Sequence, residues 1–199
     1  WAGVWREMKS PAAVLLALLL FVQFGNEGAV AGWLALFLSL RLGQSPATSL
    51  ILLAVFWGAL VVGRGVAQWL LPRVSHGRLL LSAVFLPMLA AAIVSATDNL
   101  FGAVTGVLLM GAGFAMILPL VMERIGDRFP YFHPGFFNGI FSLALTGGLL
   151  APASLGLYAH WMGVQVVMGL PLAGSILVLA LVLLIFLEAR LSGQATTGR

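Results

Sequence analysis

The sequence predicts an all-α, polytopic membrane protein of six transmembrane helices. Three observations predict it. The composition is 61% hydrophobic and 8% charged, with a mean hydropathy of +1.09, whereas soluble domains carry about 25% charged residues. Apolar stretches of about twenty residues recur, the length that crosses a hydrocarbon layer of about 30 Å. The basic residues sit singly in the short segments between those stretches, where they set topology and form no patch for nucleic acid, despite a net charge of +4.

Residues 1–11, with Arg6, Glu7 and Lys9, read as a cytoplasmic linker. The first span is about Ala12–Leu40, long for one crossing, so tilt or a break near Gly25–Gly28 is expected. A turn at Gly43–Pro46 leads to the second span, Ala47–Leu71, which holds Arg64 and Gln68 four residues apart. The loop Pro72–Arg78 contains Arg73, His76 and Arg78. Leu79–Ala96 is the third span, closed by a tight turn at Asp98-Asn99. The fourth, Leu100–Met122, is followed by a charged loop from Glu123 to Pro134. Gly135–Tyr158, glycine-rich and carrying Pro152, is the fifth. The sixth is Val164–Leu187, and residues 188–199 form a polar cytoplasmic tail.

Orientation follows from the loops. Arg6, Lys9, Arg73, Arg78, Arg124, Arg128, Arg190 and Arg199 fall on one side, and Arg41 alone on the other. The positive-inside rule then puts both termini in the cytoplasm, which an even number of spans satisfies. Spans three and six hold few strong polar groups and are expected to face lipid. Spans one, two, four and five hold Glu27, Arg64, Asn138 and most of the glycines, and are expected inside.

The segment FVQFGNEGAVAGWLALF, Phe21 to Phe37, is the most informative. It places Gln23, Asn26 and Glu27 at mid-membrane depth, on one stripe of a helix by their spacing of three and four. A charge at that depth costs about 2.5–3.5 kcal/mol on insertion scales, so it is expected to face protein or water. Glu27 is a candidate for solute binding or reversible protonation; the plain alternative is an interhelical hydrogen bond. Asn26 and Gln23 offer donors and acceptors suited to hydroxyl groups, or serve backbone freed by the nearby glycines. Trp33 is a candidate to stack on a sugar face or to anchor at the membrane interface. Asn138 is a candidate cavity residue. Arg64 either pairs with an acid across the bundle or snorkels toward the surface, and a gating or structural role is expected for it and for Gln68, Arg73 and Arg78. Glu123, Asp127, Arg124 and Arg128 are candidates for ion pairs that break as two halves move, or for a solvated helix end.

Other chemistries are excluded. There is no cysteine, so disulfide and thiolate sites are ruled out. His76, His133 and His160 fall in different loops, and no metal or other cofactor is expected. No Gly-x-Ser-x-Gly, paired-histidine or phosphate-loop motif occurs, and no enzyme is expected. The chain opens on Trp1 and lacks a signal-peptide pattern, which suggests part of something larger.

The residues also carry a resemblance. Gly25-Asn26-Glu27 leading to Gly32-Trp33-Leu34 is similar to the seventh helix of fucose-permease-type sugar transporters, where Gly-x-Glu precedes Gly-Trp-Leu. Phe56-Trp57-Gly58 followed by Gly63-Arg64 looks like their eighth helix. Pro119 to Pro130, with Glu123 and Gly126-Asp127-Arg128-Phe129-Pro130, resembles the junction of the tenth and eleventh. Ala12–Leu187 thus resembles the carboxy-terminal six-helix half of a major facilitator superfamily transporter. Pro72 stands where that family's loop signature has an acid, before Arg73, and the spacing to Gly77-Arg78 is stretched. The resemblance implies a small polar solute with sugar preferred; alternating access is expected of such a half-domain, and proton coupling through Glu27 is expected from a carboxylate withdrawn from water. The resemblance further implies a homologous amino-terminal six-helix half outside this chain, or a second copy in its place, in the inner membrane. A non-transporting scaffold or accessory subunit, and a half-size homodimeric transporter, are the alternatives.

Overall fold

The computed structural model describes residues 6, 8–129 and 134–197. Residues 1–5 and 7 of the expected linker, His133 in the expected charged loop, and Arg199 lie outside the described residues. Among the described residues there are six helices long and apolar enough to cross a membrane. They are α1 (Pro11–Leu42), α2 (Pro46–Leu70), α3 (His76–Ala96), α4 (Leu100–Arg128), α5 (Pro134–Met162) and α6 (Gly169–Thr197). A short 3₁₀ helix, Val164–Met168, precedes α6.

Local chemistry starts and stops these helices. Ser10 and Ser45 accept from the backbone N–H groups of Ala13 and Thr48 at 3.3 and 3.1 Å, each just before a proline at the first helical position. The Asn99 side chain caps α4 by accepting from the Gly102 N–H at 2.8 Å. α1 ends at Gly43, whose φ of 62° is the left-handed conformation glycine adopts without penalty.

Of the two outcomes expected for the long first span, α1 takes the unbroken one: it runs through Gly25–Gly28 for 32 residues, about 48 Å at 1.5 Å per residue, so it tilts or projects beyond the hydrocarbon. The observed elements differ from expectation in two other places. α4 runs on to Arg128, so Glu123, Arg124, Asp127 and Arg128 form its last turns, not a loop. Charged residues suit a helix end that reaches water, and Arg128 also complements the helix dipole. The sixth span begins with the 3₁₀ turn, entered at Gly163 with φ 85°, and α6 extends through the expected polar tail to Thr197.

α1 packs most extensively on α5 and then on α6; α4 packs on α3 and α2; α3 closes the bundle against α6. The seam between α1 and α5 is a backbone-to-backbone contact. A Cβ on Gly147 would overlap the Phe21 carbonyl, and a Cβ on Gly28 would overlap the Gly148 carbonyl. Pro152, lacking an N–H, leaves that Gly148 carbonyl without its usual partner in the helix.

Burial corrects one further expectation. The apolar windows of α1 and α4 are 61% and 56% buried, but those of α2 and α5 only 28% and 22%. The second and fifth spans, expected inside, therefore lie at the edges of this bundle and present broad apolar faces, including Leu50, Val61, Trp69, Leu149 and Leu157. α3, expected to face lipid, is more enclosed than either. Two apolar clusters form the core. One surrounds Leu16, Leu20, Leu120 and Ile140, and the other surrounds Leu34, Phe37, Phe56 and Phe114. Residues 23–27 of α1 fall between them, so the polar residues occupy the layer where the two clusters meet.

Candidate functional site

The site is built on that layer. α1 and α2 are antiparallel, joined by the turn at Gly43–Ser45. Glu27 lies sixteen residues before Gly43, and Arg64 nineteen after Ser45. At 1.5 Å per residue they sit about 24 and 28 Å from the turn, close to the same level. The Arg64 guanidinium reaches the Glu27 carboxylate with Nη2–Oε2 at 3.3 Å. Gln23, one turn earlier on α1, donates from Nε2 to Glu27 Oε1 at 3.0 Å. Both carboxylate oxygens are thereby engaged, one by an amide and one by a cation.

This cluster is enclosed on one side and open on the other. Gln23 is fully buried, and the Glu27 side chain is 9% exposed, but the Arg64 side chain is 37% exposed. The ion pair therefore reaches the bundle surface through Arg64, and Gln68, one turn further along α2, is exposed on the same stripe. Gln23 Oε1 and Arg64 Nε are buried with no hydrogen-bond partner among the described residues. The arrangement holds an acid against a base with one acceptor and one donor to spare, which suits exchange of a proton or of a hydrogen-bonding solute.

The stripe read from the sequence is divided in space. Asn26 does not join Glu27. It is 2% exposed and packs so tightly on α6 that a Cβ at Gly174 would overlap it. Its Nδ2 has no partner among the described residues, and it sits at the floor of a crevice of about 610 Å³ between α1, α5 and α6. Trp33 donates from Nε1 to the Pro152 carbonyl at 2.9 Å, and its ring lies beside Gly156. It braces α5 and is not presented to a cavity beside Glu27. Asn138 is exposed near the start of α5, apart from the cluster.

Apart from Arg64 and Gln68, the candidate gating residues sit at the end of the bundle with most of the basic side chains. Glu123 Oε2 lies 2.7 Å from His76 Nδ1, tying α4 to the first turn of α3. Arg128 bonds Glu188 of α6 at 3.0 Å. Both pairs form within this chain; the sequence offered Glu123 and Arg128 for ion pairs between halves or for a solvated helix end, and named neither His76 nor Glu188 as a partner. Arg73 stacks on the Trp69 ring, 4.2 Å from its centroid. Arg78 and Asp127 are exposed. At the opposite end Arg41 meets Asp98 at 3.1 Å, a pair sequence reasoning missed although both residues were placed in turns on that side. Among the described residues no group of acids and histidines could hold a metal ion.

Six apolar helices with a half-buried ion pair midway along them describe a multi-pass membrane protein with a polar layer. The sequence pattern of the Major Facilitator Superfamily matches residues 1–152. The chain belongs to the major facilitator superfamily. Among curated relatives it is 25% identical over 156 residues to an uncharacterized MFS-type transporter of Yersinia pestis, covering 78% of this chain and 41% of that protein. It is 28% identical over 165 residues to a glucose/galactose transporter of Brucella abortus, covering 80% of this chain and 39% of that one. The chain thus spans about two fifths of the length of these relatives. Its fold is similar to that of a POT family transporter, with TM-score 0.76 at 18% identity, over 92% of this chain and 38% of that one. It is also similar to a peptide transporter crystallised with alafosfalin, with TM-score 0.72 at 19% identity, over 85% of this chain and 37% of that one. These relatives and structural neighbours are described as transporters.

Proposed function

We propose that residues 12–187 are one six-helix wall of a secondary transporter that moves a small polar solute, a sugar by preference, by alternating access. The observation that carries this reading is the Glu27–Arg64 pair with Gln23, a charged cluster held at mid-membrane depth and open on one side. A structural ion pair alone is a weak reason to keep charge in hydrocarbon, because apolar replacements of buried pairs are often neutral or stabilising. A pair that opens when Glu27 takes a proton gives the charge a use. Arg64, released, then offers its donors to solute hydroxyls, and Gln23 keeps the neutral carboxyl oriented. The likeness to a glucose/galactose transporter supports the sugar preference. The exposed apolar faces of α2 and α5 support rocking against a second six-helix bundle, either a homologous amino-terminal half or a second copy. The excess of arginine and lysine at one end supports placing both termini on the cytoplasmic side of the inner membrane.

The test is uphill transport. In vesicles carrying the full transporter, Glu27→Gln is expected to abolish accumulation driven by a proton gradient while solute exchange persists. Normal uphill accumulation by that variant removes proton coupling from Glu27.

A further inference from the structure

A second feature lies away from this site, at the end of the bundle where the Arg128–Glu188 pair links α4 to α6. Arg124 of α4 and Arg190 of α6 face one cleft of about 620 Å³, whose remaining lining is Leu183, Phe186, Leu187 and Ala189. Nearby charges do not neutralise them: Arg128 takes Glu188 at 3.0 Å, and Glu123 is turned to His76 at 2.7 Å. Asp127 lines a neighbouring cleft that Arg124 also borders. Among the described residues neither Arg124 nor Arg190 makes an ion pair. Below the arginines the groove continues as apolar surface, with Leu183 and Leu187 each about half exposed.

We propose that this cleft is a binding site for the headgroup of an anionic phospholipid, with the phosphate between Arg124 and Arg190 and an acyl chain along Leu183 and Leu187. Three features carry the assignment. The level is right, because Arg190 follows Leu187, the end of the apolar run of α6, by three residues and Arg124 follows Met122 of α4 by two, where the hydrocarbon gives way to headgroups. Charge and shape agree, because two guanidinium forks recognise phosphate oxygens in pairs where an ammonium offers a point charge. The cleft also joins a charged mouth to an apolar run, a combination that suits a lipid better than free phosphate. Basic pockets between transmembrane helices at this boundary hold anionic headgroups in the same way.

The experiment is native mass spectrometry of the detergent-purified protein, titrated with phosphatidylglycerol or phosphatidylethanolamine of matched acyl chains. Each arginine near a membrane surface is worth about fivefold in attraction to anionic lipid. The unaltered protein should therefore retain phosphatidylglycerol at least tenfold more than phosphatidylethanolamine. Arg124→Gln with Arg190→Gln should bring the two to parity, and the paired Lys variants should restore part of the preference. Arg41→Gln, at the other end, should leave it intact. Equal retention of both lipids by the unaltered protein overturns the assignment. So does an undiminished preference in the double Gln variant, or displacement of phosphatidylglycerol by millimolar inorganic phosphate.

Discussion

Replacing Gly147 with alanine tests the seam that fixes α1 against α5. A methyl group built on Gly147 lies 2.8 Å from the Phe21 carbonyl carbon and 3.1 Å from its Cα, and closer still to the carbonyl oxygen. Carbon atoms rest comfortably at about 3.5–4.0 Å, so the two helices must part by about 1 Å along their most extensive contact. No side chain can turn aside to absorb this, because the obstacle is backbone. Overpacking of this kind costs about 1–3 kcal/mol. For a chain of this size about 2–4 °C of melting temperature is lost per kcal/mol, which gives a loss of about 2–12 °C. The assay is thermal unfolding in detergent, followed by tryptophan fluorescence or by the monodisperse fraction that survives heating. Gly58→Ala is the control, since an added Cβ there has no atom within 4 Å, and alanine is the better helix former. Its melting temperature should hold or rise. If Gly147→Ala melts within about 1 °C of the unaltered protein, the close approach of α1 and α5 is wrong.

Three further outcomes are expected. Arg64→Met should destabilise more than Glu27→Gln, by about 1 kcal/mol or more, because it strands the more enclosed charge; combining the two should recover most of the loss, and a melting series in which Glu27→Gln is the worse single change contradicts the site geometry. Trp33→Phe deletes the hydrogen bond to Pro152 and should cost about 1 kcal/mol of stability while solute affinity holds; a marked loss of affinity in equilibrium binding would return Trp33 to the solute site. Asp98→Asn should change stability by less than about 1 kcal/mol, since its carboxylate is 78% exposed, and a larger drop in melting temperature would show that the Arg41 pair is more than a surface contact.

The spans were legible because hydropathy alone separates six apolar stretches, and Ser-Pro pairs at positions 10–11 and 45–46 announce two helix starts. Their ends were less so. A run such as Glu123 to Arg128 suits a solvated loop and the last turns of a helix equally well, and the structure takes the helix. The glycines at 25 and 28 read as a weak point in α1, but they admit a neighbouring backbone and leave the helix continuous. Glu27 was legible as a buried acid, and pairing with an acid across the bundle was one of two readings of Arg64; that the acid is Glu27 was not legible, since the two are 37 residues apart and meet only once the hairpin is folded. Counting equal depths from the turn at Gly43–Ser45 was the signal that could have joined them. Asn26 was misplaced for a related reason. Neighbouring positions on a helix point about 100° apart, and α1 is ringed by other helices, so adjacent residues meet different partners.

Main chain pressed on main chain cannot be squeezed, and no rotamer at Gly28, Gly147 or Gly148 can change to ease a slide. α1 and α5 are thereby geared together as one strut. Sliding along their long axes cannot proceed by gradual creep; it must jump by a full helical turn, about 5.4 Å, to bring the next notch into register. Motions smaller than that carry the two helices together, and the give needed for them must come from elsewhere in the bundle.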